Sequence, residues 1–257
     1  MSDFIPTPER QKLILSMLTR QGRLSVAEIV RQFSISEATA RRDLGSLASL
    51  GKVQRVHGGV VAIDQAPPEL PILERASEEP DEKAHIGRAA AERIADKDTV
   101  FIGSGTTAVE VARNLRGRSA LTVITNSLPV LNMLAGEKGI TVISLGGMLR
   151  DSELSFIGHI TEQALAEVRA DKVIMGTRGL SLEHGLTNDY LQETLTDRAI
   201  LKIGREVIIV ADHTKINRVA TALLAPLKSV HTLITDSQAD KKFLQAAKRQ
   251  GITIIVA

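Results

Sequence analysis

Residues 23–59 read RLSVAEIVRQFSISEATARRDLGSLASLGKVQRVHGG: two short helical patterns joined by a tight turn, then a basic hairpin ending in two glycines. Ser25 and Glu28 have the S-x-x-E spacing of a capping box and open the first helix, whose apolar side is Val26, Ile29, Val30 and Phe33. Ser34-Ile35-Ser36 forms the turn, and the Ser36 hydroxyl is placed to cap the second helix. There Ala40, Leu44 and Leu47 recur at helical spacing and face a core. The opposite face keeps Glu37, Ala38, Thr39, Arg41, Arg42 and Gly45. Small side chains allow close approach to base edges, and arginine can grip a guanine or a phosphate. This is the pattern of a winged helix-turn-helix, and it implies sequence-specific binding of duplex DNA.

Upstream, a helix is expected from Thr7-Pro8, turning Leu13, Ile14, Met17 and Leu18 to the same small core. Downstream, Lys52 to His57 alternates with period two and turns Val53 and Val56 inward. Arg55 breaks that alternation, which suggests a hairpin tip or bulge. Charge follows the same division. Lys and Arg outnumber Asp and Glu nine to five over residues 1–60 and are outnumbered 23 to 25 in the rest, so the net +2 conceals a basic head.

The composition narrows the classes further. With no cysteine there is no disulfide, thiolate metal site or cysteine nucleophile, and the six histidines have no ligand spacing, so no metal is expected. At 2% aromatic residues the chain lacks a stacking platform for single strands, which favours duplex DNA over RNA. There is no long apolar run, and MSDFIPTPER lacks the basic-then-apolar order of a signal peptide, so no membrane association and a cytoplasmic location are expected. Residues 62–80, with four prolines and four glutamates, read as a stiff exposed linker. The expected division is a winged helix-turn-helix over 1–61, a linker over 62–80 and a second domain over 81–257.

In that second domain a helix over 83–95 precedes apolar strands at 99–102, 121–125, 141–145, 171–176, 206–211, 229–235 and 252–256. Helical segments at 107–115, 128–135, 161–168, 191–203 and 239–250 separate them. Near-continuous apolar strands between helices imply an α/β fold: a mostly parallel sheet covered on both faces, with ligands at the carboxyl ends of the strands. The first strand runs into Gly103-Ser104-Gly105-Thr106-Thr107 and then a helix, a combination suited to a phosphate. Asn126, Gly147, Arg150, Arg178 and Lys215 lie at later strand ends, and Glu193 near a helix start could accept from sugar hydroxyls. Each taken singly also fits an ordinary turn or cap. Together they point to an effector site for an anionic, hydroxylated ligand at residues 104–107, Asn126, Gly147, Arg150, Arg178, Glu193 and Lys215.

Over essentially its whole length the chain resembles the DeoR family of bacterial repressors. ISEATARRDLGSL and GKVQRVHGG are close to that family's S-x-x-T-x-R-R-D-L and R-x-H-G-G patterns, with Ala40 a departure where Ile or Val is more frequent. The resemblance implies DNA contacts from Ser36, Thr39, Arg41 and Arg42, with Arg55 and His57 on the wing. It also implies a sensor domain resembling ribose-5-phosphate isomerase, with residues 103–107 as phosphate loop and Asp212 to Lys215 as a D-x-[ST]-K segment. The expected function is a transcriptional repressor of a carbohydrate operon, controlled by a small phosphorylated metabolite and acting on double-stranded operator DNA as a dimer or tetramer. The alternative is a sugar-phosphate isomerase-like enzyme with an appended DNA-binding module. Against it, Gly176-Thr177-Arg178-Gly179-Leu180 offers no carboxylate base, leaving Glu193 alone. No catalytic residue and no cofactor are therefore expected. A scaffold that binds DNA constitutively is a third option, which the polar strand ends disfavour.

Overall fold

The computed structural model describes residues 5–21, 23–49, 53–56, 58–62 and 71–257. The chain divides into two compact units, Met1–Pro67 and Pro68–Ala257.

The first unit holds α1 (Thr7–Gln21), β1 (Arg23–Ser25), α2 (Val26–Phe33), α3 (Glu37–Ser49), β2 (Val53–Val56) and β3 (Gly59–Ala62). The capping box is present: the Ser25 side chain accepts from the Glu28 amide at 3.2 Å, and Glu28 accepts from the Ser25 amide at 2.7 Å. Ser34 in the left-handed region ends α2, and Ser36 Oγ accepts from the Thr39 amide at 3.2 Å to start α3. Ile14, Leu18, Leu24, Ile29, Ala40, Leu44, Leu47, Val53 and Val60 form one buried cluster. Leu13 departs from expectation: it is exposed, and its neighbour Leu15 packs on the core in its place. Antiparallel strands in the order β1-β3-β2 make the wing sheet. Arg55 stands in regular register opposite Val60, exposed, without the bulge its pattern suggested. Gly59 has a stricter reason than turning: a Cβ there would lie 2.2 Å from the Leu24 carbonyl oxygen.

The second unit begins with α4 (Ile72–Arg75) and α5 (Pro80–Ala91), then β4 (Thr99–Ile102), α6 (Thr106–Arg113), β5 (Leu121–Thr125), α7 (Leu128–Leu134) and β6 (Ile140–Ser144). A hairpin of β7 (Met148–Arg150) and β8 (Ser155–Ile157) leads to α8 (His159–Ala166) and β9 (Ala170–Met175). After β10 (Gly179–Ser181), β11 (Gly185–Asn188) and α9 (Leu191–Ile203) come β12 (Gly204–Val210), β13 (Ala222–Ala225), β14 (Thr232–Thr235), α10 (Lys241–Arg249) and β15 (Thr253–Val256). Seven parallel strands pair in the order β15-β14-β12-β9-β4-β5-β6. Alternate residues of each strand supply two separate cores. Phe101, Ile124, Val173, Val207 and Ile209 pack with Ile200 and Phe243 on one face. Val100, Ile102, Val123, Ile208 and Val210 pack with Ile86, Val111 and Val130 on the other. Burial on both faces is why these strands read as continuous apolar runs.

The chain moves outward from β4 through β5 to β6, then returns to β9 on the other side of β4. The loops after β4 and β9 therefore diverge at the carboxyl edge of the sheet and leave a crevice there. The expected linker is corrected at its C-terminal end. Ile72 and Arg75 are buried, and the Ile72 amide donates to the Ser152 carbonyl at 2.7 Å, so these residues anchor the stretch 71–80 to the second unit although most of it is exposed. Buried apolar and hydrogen-bonded contacts outweigh the proline-rich composition at that end. Residues 63–70 of the linker lie outside the described residues.

Candidate functional site

Two surfaces bring the predicted residues together. On the first unit, burial of Ala40, Leu44 and Leu47 turns the other side of α3 outward, where Ser36, Arg41 and Arg42 are exposed and Thr39 is half-buried. Arg41 is engaged by Glu37 one turn earlier, at 2.9 Å from Nε and 2.5 Å from Nη2. An exposed pair of this kind contributes little to stability and leaves the guanidinium available for exchange to a phosphate. Asp43, the acid of the R-R-D-L motif, points the other way. It receives Arg10 Nε at 2.6 Å and Arg10 Nη2 at 3.2 Å, and both side chains are only 4% exposed. This buried pair ties α1 to α3 and fixes the helix that presents Arg41 and Arg42. His57, assigned to the wing in sequence, lies outside the described residues.

On the second unit, an open cleft of about 680 Å³, counted together with the solvent at its mouth, lies at the crevice between the β4 and β9 ends. Of the sequence-predicted effector residues, Ser104, Gly105, Thr106, Thr107, Arg178, Glu193 and Lys215 line it. Gly105 caps α6 at φ 107°, and among the described residues no side chain accepts from the helix's first turn. Unsatisfied N–H groups and the positive end of the helix dipole thus face the cleft. Lys215 is half-buried on the turn after β12, and its ammonium has no hydrogen bond or ion pair among the described residues. Asp212 caps that turn by accepting from the Thr214 amide at 2.9 Å.

Three predicted residues fall elsewhere. Asn126 is buried behind β5, where its Nδ2 donates to the Phe156 carbonyl at 3.0 Å and its Oδ1 has no partner among the described residues. Gly147 is a packing position, since a Cβ there would sit 2.1 Å from Thr161 Oγ1. Arg150 is not among the lining residues. It stacks on the Tyr190 ring at 4.7 Å and pairs with Glu193, which also accepts from Ser155 Oγ at 3.1 Å. Arg150 therefore orients Glu193 from behind.

The cleft also contains residues that sequence reasoning missed: Arg75, Glu78, Lys83, Glu153, Asn188 and Asp197. Arg75 pairs with Glu153, both nearly fully buried. Lys83, 4% exposed, donates to the Arg75 carbonyl at 2.7 Å and to the Glu78 carbonyl. Burial lowers its pKa, with the Asp212 charge pulling the other way. Asp197 accepts from Asn188 Nδ2 at 2.6 Å, and its carboxyl is held well above the usual range by burial and then by the nearby Glu193 charge. Glu193 and Asp197 are four apart on α9, so a shared helical face was available as a sequence signal. The site is electrically divided. Amides, Lys215 and the Arg75–Glu153 pair gather at the α6 end, while Glu193, Asp197 and Asn188 offer acceptors and one amide on α9 and β11. Among the described residues no His, Asp or Glu group is arranged to hold a metal ion, and no helix is long and apolar enough to cross a membrane.

Family models match both units of the chain. Residues 10–66 match the DeoR-like helix-turn-helix domain, and residues 78–237 match the DeoR C terminal sensor domain. The chain is 34% identical to the transcriptional repressor AccR of Agrobacterium fabrum over 91% of each chain. It is 32% identical to the HTH-type transcriptional regulator IolR of Bacillus subtilis over 97% of each. It is 34% identical to the glycerol-3-phosphate regulon repressor of Escherichia coli K12, over 89% of this chain and 90% of that one. Among solved structures, ribose 5-phosphate isomerase A of Methanocaldococcus jannaschii aligns over 54% of this chain and 55% of its own, at 16% identity and a TM-score of 0.41.

Proposed function

The chain belongs to the DeoR family of DNA-binding transcriptional regulators, and from that premise we propose that it represses a carbohydrate-related operon and is controlled by a small phosphorylated metabolite held in the cleft of its second unit. The observation that carries the effector half is the uncapped first turn of α6 facing Lys215 across one cleft. A phosphate needs several donors once it leaves water, and a helix end plus a fixed ammonium supplies them. Glu193, Asp197 and Asn188 then meet the hydroxyl-bearing end of the ligand, with Arg178 beside them. A relative that represses the glycerol-3-phosphate regulon supports a phosphate monoester as the chemical class.

On the first unit, Ser36, Thr39, Arg41 and Arg42 enter or flank the major groove, and Arg55 and His57 contact the backbone from the wing. One short recognition helix reads few base pairs, so the repressor acts as a homo-oligomer on paired half-sites in the cytoplasm. The cleft serves binding rather than catalysis: the run Gly176-Thr177-Arg178-Gly179-Leu180 after β9 carries no carboxylate, and Glu193 is engaged by Arg150 and Ser155.

Thermal unfolding of the full chain with a panel of phosphate monoesters tests this reading. A ligand at about 100 times its Kd should stabilise the second unit by about 2.7 kcal/mol, while the parent polyols should not. A panel that leaves the transition unmoved would contradict it.

A further inference from the structure

We propose that Arg75 is a ligand-reading residue of the cleft, held by Glu153 and handed over to the phosphate of the bound effector. The inference rests on the phosphate position assigned above and adds a residue to it from outside the sheet edge.

Position is the first ground. Arg75 ends the four-residue helix α4, in the segment that follows the winged-helix unit in the chain. Its guanidinium pairs with the Glu153 carboxylate, and both line the cleft with Ser104, Gly105 and Thr106. Glu153 Oε1 lies 3.7 Å from where a Cβ on Gly105 would stand. The carboxylate is thus beside the first turn of α6, the place given to the phosphate. Arg75 is one carboxylate's breadth further away.

Charge is the second ground. A phosphate dianion and a carboxylate cannot share a buried site at contact distance without a cation between them. The cation already bound to that carboxylate is Arg75, whose planar fork of donors fits phosphate as well as it fits carboxylate. When the phosphate arrives, the guanidinium has the stronger anion within reach and Glu153 loses its claim.

A purely structural role for the pair is the competing account: it would simply fasten residues 71–80 to the turn between β7 and β8. That segment is already fastened without it. The Ile72 amide donates to the Ser152 carbonyl at 2.7 Å, and Lys83 Nζ donates to the Arg75 and Glu78 carbonyls. The backbone of Arg75 is pinned while its side chain reaches into the cleft. A buried ion pair adds little stability over an apolar contact. Here it stores a phosphate-binding group at the mouth of the phosphate site.

The two accounts predict opposite signs for one variant. Full-length wild type, R75Q, E153Q and G105V are titrated calorimetrically with inorganic phosphate and with glycerol 3-phosphate, and the thermal transition of each is recorded. Handover predicts that R75Q binds at least about tenfold more weakly, the lower end for a charge-assisted contact, while E153Q binds at least about tenfold more tightly. A fastening role predicts that both variants weaken binding or leave it unchanged, and either result overturns the proposal. If R75Q does not fold, E153Q decides alone: tighter binding supports the handover, equal or weaker binding refutes it. Should wild type bind neither probe, the cleft reading fails and this inference with it. If wild type binds, G105V does not, and R75Q matches wild type, the handover fails while the cleft reading stands.

Discussion

Asp43→Ala should cripple the DNA-binding unit although Asp43 faces away from the surface assigned to DNA. Arg10 and Asp43 meet through two contacts, at 2.6 and 3.2 Å, and each side chain is 4% exposed. Removing the carboxylate leaves the guanidinium, among the described residues, with two neutral acceptors, the Ile5 carbonyl at 2.7 Å and Thr7 Oγ1 at 3.1 Å, and no counter-charge. Breaking one side of a buried pair costs about 3–5 kcal/mol. A unit of this length has roughly 3–10 kcal/mol of stability in all. Between about a third and all of it is therefore removed, and operator binding at 37 °C falls with it. The chain has no tryptophan, and its one tyrosine, Tyr190, lies in the second unit, so circular dichroism and calorimetry are the suitable probes. The lower transition should collapse while that of the second unit stays. Replacing both partners, as in R10M/D43L, should restore most of the stability, because the cost lies in the stranded charge. A D43A change of less than about 1 kcal/mol would refute the reasoning, as would a double variant no better than the single one.

Further outcomes are expected. Replacing Arg41 and Arg42 by alanine should lower the salt slope of log K for operator binding by about one for each phosphate that is no longer neutralised; an unchanged slope would remove α3 as the recognition helix. Lys215→Met should weaken binding of glycerol 3-phosphate by about 1.5–3 kcal/mol in a calorimetric titration, and wild-type affinity would displace Lys215 from the site. Burial, then the Glu193 charge, raises the Asp197 pKa above its unfolded value of 3.8, so the native state holds that proton more tightly. The stability this gives is complete below about 3.8 and is lost as pH rises through the folded pKa. Asp197→Asn, neutral throughout, should match wild type in acid and gain in Tm toward neutral pH; a difference independent of pH would contradict the assignment.

Much of the fold was legible because local and tertiary signals agree. Ser25, Glu28 and Ser36 cap the helices their spacing suggested, and the bounds of β4, β5 and α9 coincide with those read from the apolar runs. The short strands β7, β8, β10, β11 and β13 were not foreseen, since three or four residues carry too little periodicity to show. Residues 71–80 misled for a different reason. Their prolines and glutamates are largely exposed, and only the tertiary contacts of Ile72 and Arg75 show that the stretch is anchored to the second unit. At the site, the glycine loop after β4 and Lys215 were readable because strand ends converge by topology. Arg75, Lys83 and Glu153 were not, because they arrive from α4, α5 and a hairpin turn that no strand-end rule locates. Asn126 and Gly147 met that rule but lie outside the cleft lining, where Asn126 bonds the Phe156 carbonyl and Gly147 allows a close approach to Thr161.

Control of DNA affinity by the cleft is tested most directly in a titration that reads both units at once. A duplex enriched in vitro by the full chain is followed by fluorescence anisotropy, with and without saturating concentrations of the most stabilising phosphate monoester, for wild type and G105V. Valine at φ 107° is strained and obstructs the approach to the first turn of α6, yet leaves the winged-helix unit untouched. Wild type should change its duplex affinity by about 5–150-fold, the usual span of coupling between two sites, while G105V binds the duplex as ligand-free wild type does and ignores the monoester. A wild-type affinity indifferent to ligand, or a G105V protein that responds as wild type does, would contradict the account.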